Sequence, residues 1–199
     1  MSVAAITTLV PVVRWQPDAR GRLERAALEL YAERGFDATT VAGIAERAGL
    51  TERTFFRHFA DKREVLFGGS PVLQERLVAG LAAAPPSAGP LAAVGAALAT
   101  IPETLPEERR AGAAQRQAVI DATPELRERE LAKFAALTAA MAQGLRERGV
   151  GEPTASLAAE AGAAVFRVAF GRWIGGDARD LGTLLAASLA ELRGVAADG

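Results

Sequence analysis

The sequence predicts an all-α fold, with a small unit of three helices near the N-terminus followed by a longer helical body. Apolar residues recur at intervals of three and four over most of the chain, as expected for helices that bury one face. Two-residue alternation with β-branched side chains, the pattern of strands, is missing. Clusters of glycine and proline at residues 68–71 and 84–90 separate successive helical segments.

Composition narrows the class of protein. The 199 residues, 50% of them hydrophobic, suffice for a small N-terminal unit and a body with its own core. The chain has no cysteine, which excludes disulfides, thiolate metal sites and cysteine nucleophiles and favours a cytoplasmic location. We predict an N-terminal arm over residues 1–17, a first unit over 18–67 and the helical body over 68–199.

The apolar stretch over residues 3–13 belongs to the predicted arm. No basic residue precedes this stretch, Pro11 interrupts it, and it is too short to span a bilayer. We therefore interpret it as an arm rather than a signal peptide, and we predict no membrane partner.

The first predicted helix ends near Gly35, with Phe36 packing after the turn. Its apolar residues follow the i, i+3, i+4, i+7, i+8 spacing of a single buried stripe, formed by Leu23, Ala26, Ala27, Leu30 and Tyr31. This stripe needs partner helices, which the next segment supplies.

A short second helix carries an apolar stripe of Val41, Ile44, Ala45 and Ala48. Thr39 or Thr40 can cap its start, because a threonine hydroxyl accepts from a free backbone N–H group of the first turn. Gly49 can take the left-handed conformation that closes its end. The segment therefore has both a start and a stop.

A third helix begins after Thr51, a predicted cap, and buries Phe55 and Phe59 four residues apart. Its other faces carry polar and basic residues, so it can stand in a DNA groove. Asp61 is the predicted cap of a fourth helix, whose Lys62 lies near the end of the third and could hold a phosphate as a point charge. Residues 39–67 thus read as a helix-turn-helix.

This pattern resembles the N-terminal domain of TetR-type transcriptional regulators. The resemblance covers about residues 20–67 and rests on a combination of motifs: Gly35-Phe36, Thr39-Thr40-Val41, Ile44-Ala45, Ala48-Gly49, Thr51, Thr54-Phe55-Phe56, His58-Phe59 and Lys62. It implies an all-α homodimer that binds a palindromic operator through paired helix-turn-helix units. Such regulators usually release the DNA when a small molecule enters the C-terminal domain.

Roles within the motif follow from side-chain chemistry. We expect Arg53 and Glu52 to meet base edges, since arginine bonds guanine and a carboxylate accepts from cytosine. The remaining DNA-binding candidates are the groove-facing Thr54 and Phe56, the cap Thr51, and the phosphate-binding Thr40, Arg57, His58 and Lys62. The family commonly has tyrosine in place of Phe56. The sequence leaves open whether Phe56 faces DNA or joins the core.

The alternatives to a DNA-binding regulator are an enzyme that uses the body as a substrate pocket and a dimeric interaction protein. His58 is the only histidine, so it is the only imidazole base available, and it has no partner motif. No phosphate loop, metal-ligand pair or nucleophile elbow is present, and we predict no catalytic residue, cofactor or metal. Neither alternative has a positive residue signature.

The body contains six predicted helices, at about residues 72–83, 91–101, 107–122, 125–148, 154–174 and 178–195. The last two carry stripes of small and apolar residues. In the family the corresponding pair forms a four-helix dimer interface. These stripes suit that use, and an internal core is the alternative.

A regulatory pocket is expected among the four helices between residues 91 and 174. The candidate ligand contacts are Leu98, Gln115, Arg116, Val119, Phe134, Met141, Phe166, Arg167, Phe170 and Trp173. Most of these side chains would serve equally well as core. Residues 116–149 loosely resemble a TetR subgroup whose C-terminal domain binds acyl-CoA-like ligands, which implies an amphipathic effector with an acidic head.

Overall fold

The computed structural model describes residues 18–197, and every regular element within that range is helical. The predicted all-α fold is thereby confirmed, whereas the predicted arm at residues 1–17 lies outside the described residues. The helices, in chain order, are α1 (Ala19–Arg34), α2 (Val41–Arg47), α3 (Glu52–His58), α4 (Glu64–Phe67), α5 (Ser70–Ala83), α6 (Pro90–Leu98), α7 (Arg110–Ala122), α8 (Pro124–Glu147), α9 (Thr154–Ile174) and α10 (Leu181–Ala197).

The N-terminal unit forms as its sequence pattern predicts. Helix α1 buries the predicted stripe of Leu23, Ala26, Ala27, Leu30 and Tyr31. The Thr40 hydroxyl accepts from the backbone N–H of Gly43 and caps α2, while that of Thr51 accepts from Thr54 and caps α3. Gly49 adopts a φ of +64°, the left-handed conformation needed between the two helices.

Helix α4 is shorter than predicted, because its first regular residue is Glu64 rather than Lys62. Asp61 nevertheless caps this turn, since its Oδ1 accepts from the backbone N–H groups of Arg63 and Glu64, at 2.8 and 2.9 Å. Residues 61–63 form the turn that the aspartate holds.

Two helix starts in the body also differ from prediction. Helix α6 ends at Leu98, and 3₁₀ turns at Ile101–Glu103 and Glu107–Arg109 delay the start of α7 to Arg110. The prolines at 102 and 106 cannot donate to an α-helical ladder, which accounts for the interruption. Helix α10 starts at Leu181, where Asp180 accepts from the backbone N–H of Thr183.

Helix α9 lies at the centre of the body and packs against α6, α8 and α10. Glycines let these helices approach closely: a Cβ on Gly162 would lie 2.5 Å from Val94 Cγ1, and one on Gly95 would lie 2.6 Å from Leu189 Cδ2. The tightest backbone approach joins α5 to α6, where a Cβ on Gly80 would lie 2.8 Å from the Cα of Ala97. The body core is therefore closely packed at its crossings.

Gly80→Ala should destabilise the protein by about 1–3 kcal/mol, because the new methyl group meets backbone that cannot move aside. The expected fall in melting temperature is roughly 2–10 °C by circular dichroism. Gly112→Ala is the matched control: it lies within α7 with no neighbour within 4 Å, so the change should be neutral or stabilising. Equal melting temperatures for the two variants would contradict the packing described above.

A second core lies within the N-terminal unit, and it extends beyond that unit in sequence. It contains the buried residues of α1 to α4 together with Val119, Ile120 and Leu126 from the corner between α7 and α8. The body therefore completes the core of the N-terminal unit. The division at residue 67 stays a prediction about chain organisation, since burial here is continuous across it.

Candidate nucleic-acid interface

Helix α3 presents one polar face to solvent. Phe55 and Phe59 anchor the opposite face in the core, with ring centroids 5.6 Å apart. Glu52, Arg53 and Arg57 are exposed, and within residues 18–197 no hydrogen bond or ion pair engages either arginine. Two cationic side chains are thus available on a rigidly held helix.

Phe56 lies on the surface of α3, with 55% of its area exposed. Its ring meets the edge of Phe55, at 5.5 Å between centroids and 83° between planes. The structure therefore excludes the interpretation in which Phe56 joins the core. The exposed phenyl ring beside two arginines is therefore available for an apolar contact.

Thr51, the cap of α3, and Thr54 in its first turn are engaged with each other. Thr51 Oγ1 and Thr54 Oγ1 lie 3.0 Å apart, and Thr54 is half-buried. Thr40, by contrast, is exposed at the start of α2. The hydroxyl of Thr40 caps its own helix and still has a lone pair for a further contact.

His58 closes α3 and is less accessible than its predicted phosphate contact requires. Its Nε2 is buried and has no hydrogen-bond partner among residues 18–197. The ring lies next to Phe59, at 6.4 Å between centroids. A phosphate contact from this residue would therefore have to use Nδ1.

Lys62 is turned toward the protein rather than toward solvent. Its Nζ donates to the backbone carbonyls of Phe36, Asp37 and Thr39, at 2.8, 3.3 and 2.9 Å. The ammonium also lies 4.3 Å from the centroid of the Phe36 ring. Sequence reasoning missed these contacts because the loop that carries the three carbonyls is more than twenty residues away.

Two arginines of α1 also bind backbone carbonyls. Arg20 donates to Gly68 at 2.9 Å and stacks over Phe59, while Arg22 donates to Ala48 at the end of α2. Cations suit such positions, since carbonyls at a helix end carry partial negative charge. On α3 itself, the exposed cationic side chains are those of Arg53 and Arg57.

The predicted ligand contacts separate into two groups, the first inside the body. Leu98, Met141, Phe166 and Trp173 are buried, Phe134 and Phe170 are half-buried, and Arg167 is exposed. The four aromatic rings form a row with centroid spacings of 6.0, 5.5 and 5.9 Å from Phe134 to Trp173. The indole N–H of Trp173 donates to Glu107 at 2.9 Å, and this bond lowers the pKa of that carboxyl.

The second group, Gln115, Arg116 and Val119, lies elsewhere than predicted. Gln115 donates to the Leu28 carbonyl of α1 at 3.2 Å, and Val119 is part of the N-terminal core. Arg116 donates to the Leu66 carbonyl of α4 and stacks over Phe67. The face of α7 that carries these three residues packs against the N-terminal unit, so they do not line the aromatic row of the body.

The charged residues of α4 and α8 strengthen the same contact. Glu64 accepts from Arg129 and lies 3.7 Å from Lys133, while Arg63 pairs with Glu125 at 3.1 Å. Arg116 also pairs with Glu130 at 3.4 Å. Burial lowers the pKa of Arg116, and the Glu130 carboxylate acts in the opposite direction.

Comparison with known proteins identifies this arrangement. Residues 24–67 match the model of bacterial regulatory proteins of the tetR family, and residues 88–197 match that of the MftR C-terminal domain. The chain belongs to the TetR family. The TetR-type resemblance inferred from the helix-turn-helix motifs is therefore confirmed.

Named relatives of this TetR-family chain align with only part of it. It is 40% identical to the transcriptional regulator TcmR of Streptomyces glaucescens over 82 residues, which is 41% of this chain and 36% of TcmR. It is 45% identical to the transcriptional repressor KstR2 of Mycobacterium tuberculosis over 47 residues, 24% of each chain. The chain thus spans little more than a third of the length of TcmR and about a quarter of that of KstR2.

Solved structures resemble the TetR-family chain over most of its length. It covers 96% of the TetR-family regulator PfmR from Thermus thermophilus with 86% of its own length, at 25% identity and a TM-score of 0.50. It covers 95% of a TetR-family regulator from Syntrophomonas wolfei with 90% of its length, at 13% identity and a TM-score of 0.63. The second likeness shows the fold alone.

Two further kinds of feature, a metal site and a membrane-spanning helix, were sought in the described part of the chain. Among residues 18–197 no cluster of three or more histidine, aspartate or glutamate side chains is placed to hold a metal ion. None of the described helices is both long and apolar enough to cross a bilayer.

Proposed function

We propose that this TetR-family chain is a dimeric, sequence-specific DNA-binding regulator, and that it represses transcription until a small-molecule effector releases it from a palindromic operator. The observation that carries the proposal is the exposed face of α3, where Arg53 and Arg57 stand beside Phe56 on a helix fixed by buried aromatic rings. The names of TcmR and KstR2, a regulator and a repressor, support the class and the sign of regulation. A regulator of bacterial DNA acts in the cytoplasm.

Each exposed group of this surface has a matching chemistry on DNA. Arg53 and Glu52, at the N-terminal end of α3, would reach base edges, where arginine donates to guanine and glutamate accepts from cytosine. Phe56 would contact a thymine methyl or a sugar. Thr40 and Arg57 would bind phosphates on either side of the groove.

We propose that the dimer forms through α9 and α10. Leu157 and Val168 on α9 are 67% and 53% exposed, although they are large and apolar. The exposed positions of α10 include the small residues Ala186, Ala190 and Gly194, which allow helix backbones to approach closely. Most residues of the small and apolar stripes predicted on these helices are buried in the core of the body. A second copy would instead cover the exposed faces of α9 and α10 and form a four-helix interface with two-fold symmetry.

Val168→Asp is expected to convert the dimer into a monomer, because the interface would bury an unpaired charge. The side chain is exposed in the single chain, so the fold itself should tolerate the change. Sedimentation velocity measures the result. Leu131→Asp is the matched control, since Leu131 is 65% exposed on α8, away from the proposed interface.

An unchanged dimer in Val168→Asp would contradict the proposed interface, as would dissociation of Leu131→Asp to the same extent. Loss of helical signal in either variant would show a folding defect, which circular dichroism detects independently.

The effector site is proposed to lie along the aromatic row between α8 and α9. Phe134 and Phe170 are the half-buried members of the row, so an apolar ligand part could enter there by displacing them. Leu98, Met141, Phe166 and Trp173 would line the deeper part, and the exposed Arg167 could meet an anionic head. An acyl-CoA-like molecule is one ligand of this amphipathic kind.

Coupling of the two functions would use the contact between the α7–α8 corner and α4. An effector that separates α8 from α9 would move that corner, and with it the carbonyl of Leu66 and the side chain of Glu64. The two DNA-binding units would then no longer match the spacing of the half-sites.

Selection of binding sites from a random duplex pool tests the proposed function. We expect enrichment of a sequence with two inverted half-sites, with centres separated by roughly 34–36 Å or a multiple of that distance. Enrichment of no sequence over several rounds, in a protein shown to be folded and dimeric, would contradict it.

A further inference from the structure

Lys62 occupies the turn between α3 and α4, and its side chain binds a loop that is distant in sequence. Its ammonium carries three N–H donors, and three carbonyls of the loop between α1 and α2 lie within hydrogen-bond distance. The Phe36 ring covers part of what remains of the charge. A phosphate would have to compete with partners that already satisfy this group.

The backbone of Lys62 is held as well. The buried Tyr31 hydroxyl donates to the Lys62 carbonyl at 2.6 Å. Burial raises the pKa of Tyr31, and the nearby Asp61 carboxylate adds to the effect, so the hydroxyl keeps its proton. Lys62 is thereby fixed to α1 through its carbonyl and to the following loop through its side chain.

The loop that Lys62 binds leads directly into α2. Thr39 gives its carbonyl to Lys62 and is itself buried, with its Oγ1 donating toward the carbonyls of Gly35 and Leu30 at 2.8 and 3.2 Å. The next residue, Thr40, is the cap of α2 and a proposed phosphate contact. Lys62 therefore connects the turn that follows α3 to the start of α2.

We propose that Lys62 is a positioning residue, which sets the place of Thr40 and α2 relative to α3 and does not itself neutralise a phosphate. This inference rests on the proposed DNA-binding function. It replaces the phosphate role that the sequence pattern predicts for this lysine. Arg57, which no contact engages among the described residues, is the residue expected to supply the phosphate charge.

Salt dependence separates the two roles. Each phosphate contact steepens the plot of log affinity against log salt by about 0.9, because bound counterions are released. Operator binding of Lys62→Met should therefore weaken by the same factor at each salt concentration, with an unchanged slope and a melting temperature lower by roughly 3–10 °C. Arg57→Met should lower the slope by about 0.9 and leave the melting temperature unchanged.

Lys62→Arg provides a second test that keeps the charge. A phosphate contact would tolerate arginine, whereas three carbonyls placed around one nitrogen do not suit its planar fork. We therefore expect Lys62→Arg to lose affinity and thermal stability with an unchanged slope. This variant decides the question even where Lys62→Met is partly unfolded.

A slope lower by about 0.9 in Lys62→Met with no change in melting temperature would overturn the inference, as would full operator affinity in Lys62→Arg. Amide hydrogen exchange of residues 39–43 in the free protein gives an independent reading, and we expect it to be faster in Lys62→Met. Absence of operator binding by the unaltered protein would defeat the proposed function. In that case amide hydrogen exchange alone would test the positioning role of Lys62, and an unchanged exchange rate of residues 39–43 in Lys62→Met would overturn it.

Discussion

Arg53→Ala is expected to weaken operator binding by roughly 1–3 kcal/mol, about 5- to 150-fold, and to relax the preference at one base position. Arg53 is exposed in the first turn of α3, where side chains of a recognition helix reach base edges. Its loss removes a paired set of donors that only one base can satisfy. Fluorescence anisotropy with operator variants at each position measures both effects.

The matched control for Arg53 is Arg127→Ala, which removes an exposed arginine of α8, outside the helix-turn-helix. That variant should keep the operator affinity and the full base preference. Equal affinity loss in the two variants would indicate a general charge effect. A uniform loss at all base positions in Arg53→Ala would assign Arg53 to the phosphate backbone instead.

Arg116→Met is expected to lower the free energy of unfolding by about 2–3 kcal/mol, because it leaves the Leu66 carbonyl and the Glu130 carboxylate without their cation. The Arg116 and Glu130 side chains are 26% and 17% exposed, so solvent screens their attraction. The free energy of unfolding should therefore fall by less than it would for a fully buried pair. Urea unfolding followed by circular dichroism gives the value. Methionine keeps most of the volume of the arginine stem.

Arg116→Met also tests the contact between α7 and α4, which connects the body to the N-terminal unit. We expect its operator affinity to respond less to an effector, once one is identified, because α7 no longer holds the end of α4. Arg127→Met is the control for removing an arginine from this part of the body. Unchanged stability in Arg116→Met would contradict the described contact.

The helices of the N-terminal unit were predictable because the residues that start and end them are close together in sequence. Caps such as Thr40 and Thr51, and the left-handed Gly49, act within a few residues of sequence, and the structure places each as expected. The burial of Phe55 and Phe59 follows from helical spacing alone. Exposure of Phe56 was not decided by spacing, since it depends on which neighbours cover the helix.

Contacts between distant segments were not predictable from the same patterns. Lys62 and Arg116 look like free cations in the sequence, but each binds carbonyls that belong to another helix or loop. Every residue has a backbone carbonyl, so a pattern of side chains cannot predict which carbonyl a distant cation will bind. The contacts of Gln115 and Val119 with the N-terminal unit were not predictable for a related reason, because helical periodicity defines a face but not the element that covers it.

Binding of the purified protein to the DNA upstream of its own coding region tests whether α3 reads a specific DNA sequence. Affinity for this fragment and for an unrelated fragment of equal length would be titrated against salt. We expect a preference of at least about a hundredfold for the upstream fragment at physiological salt, a threshold that lies below the typical specificity ratios of roughly 10³ or more. Equal affinity for the two fragments, together with no enriched sequence from the random pool, would contradict the account.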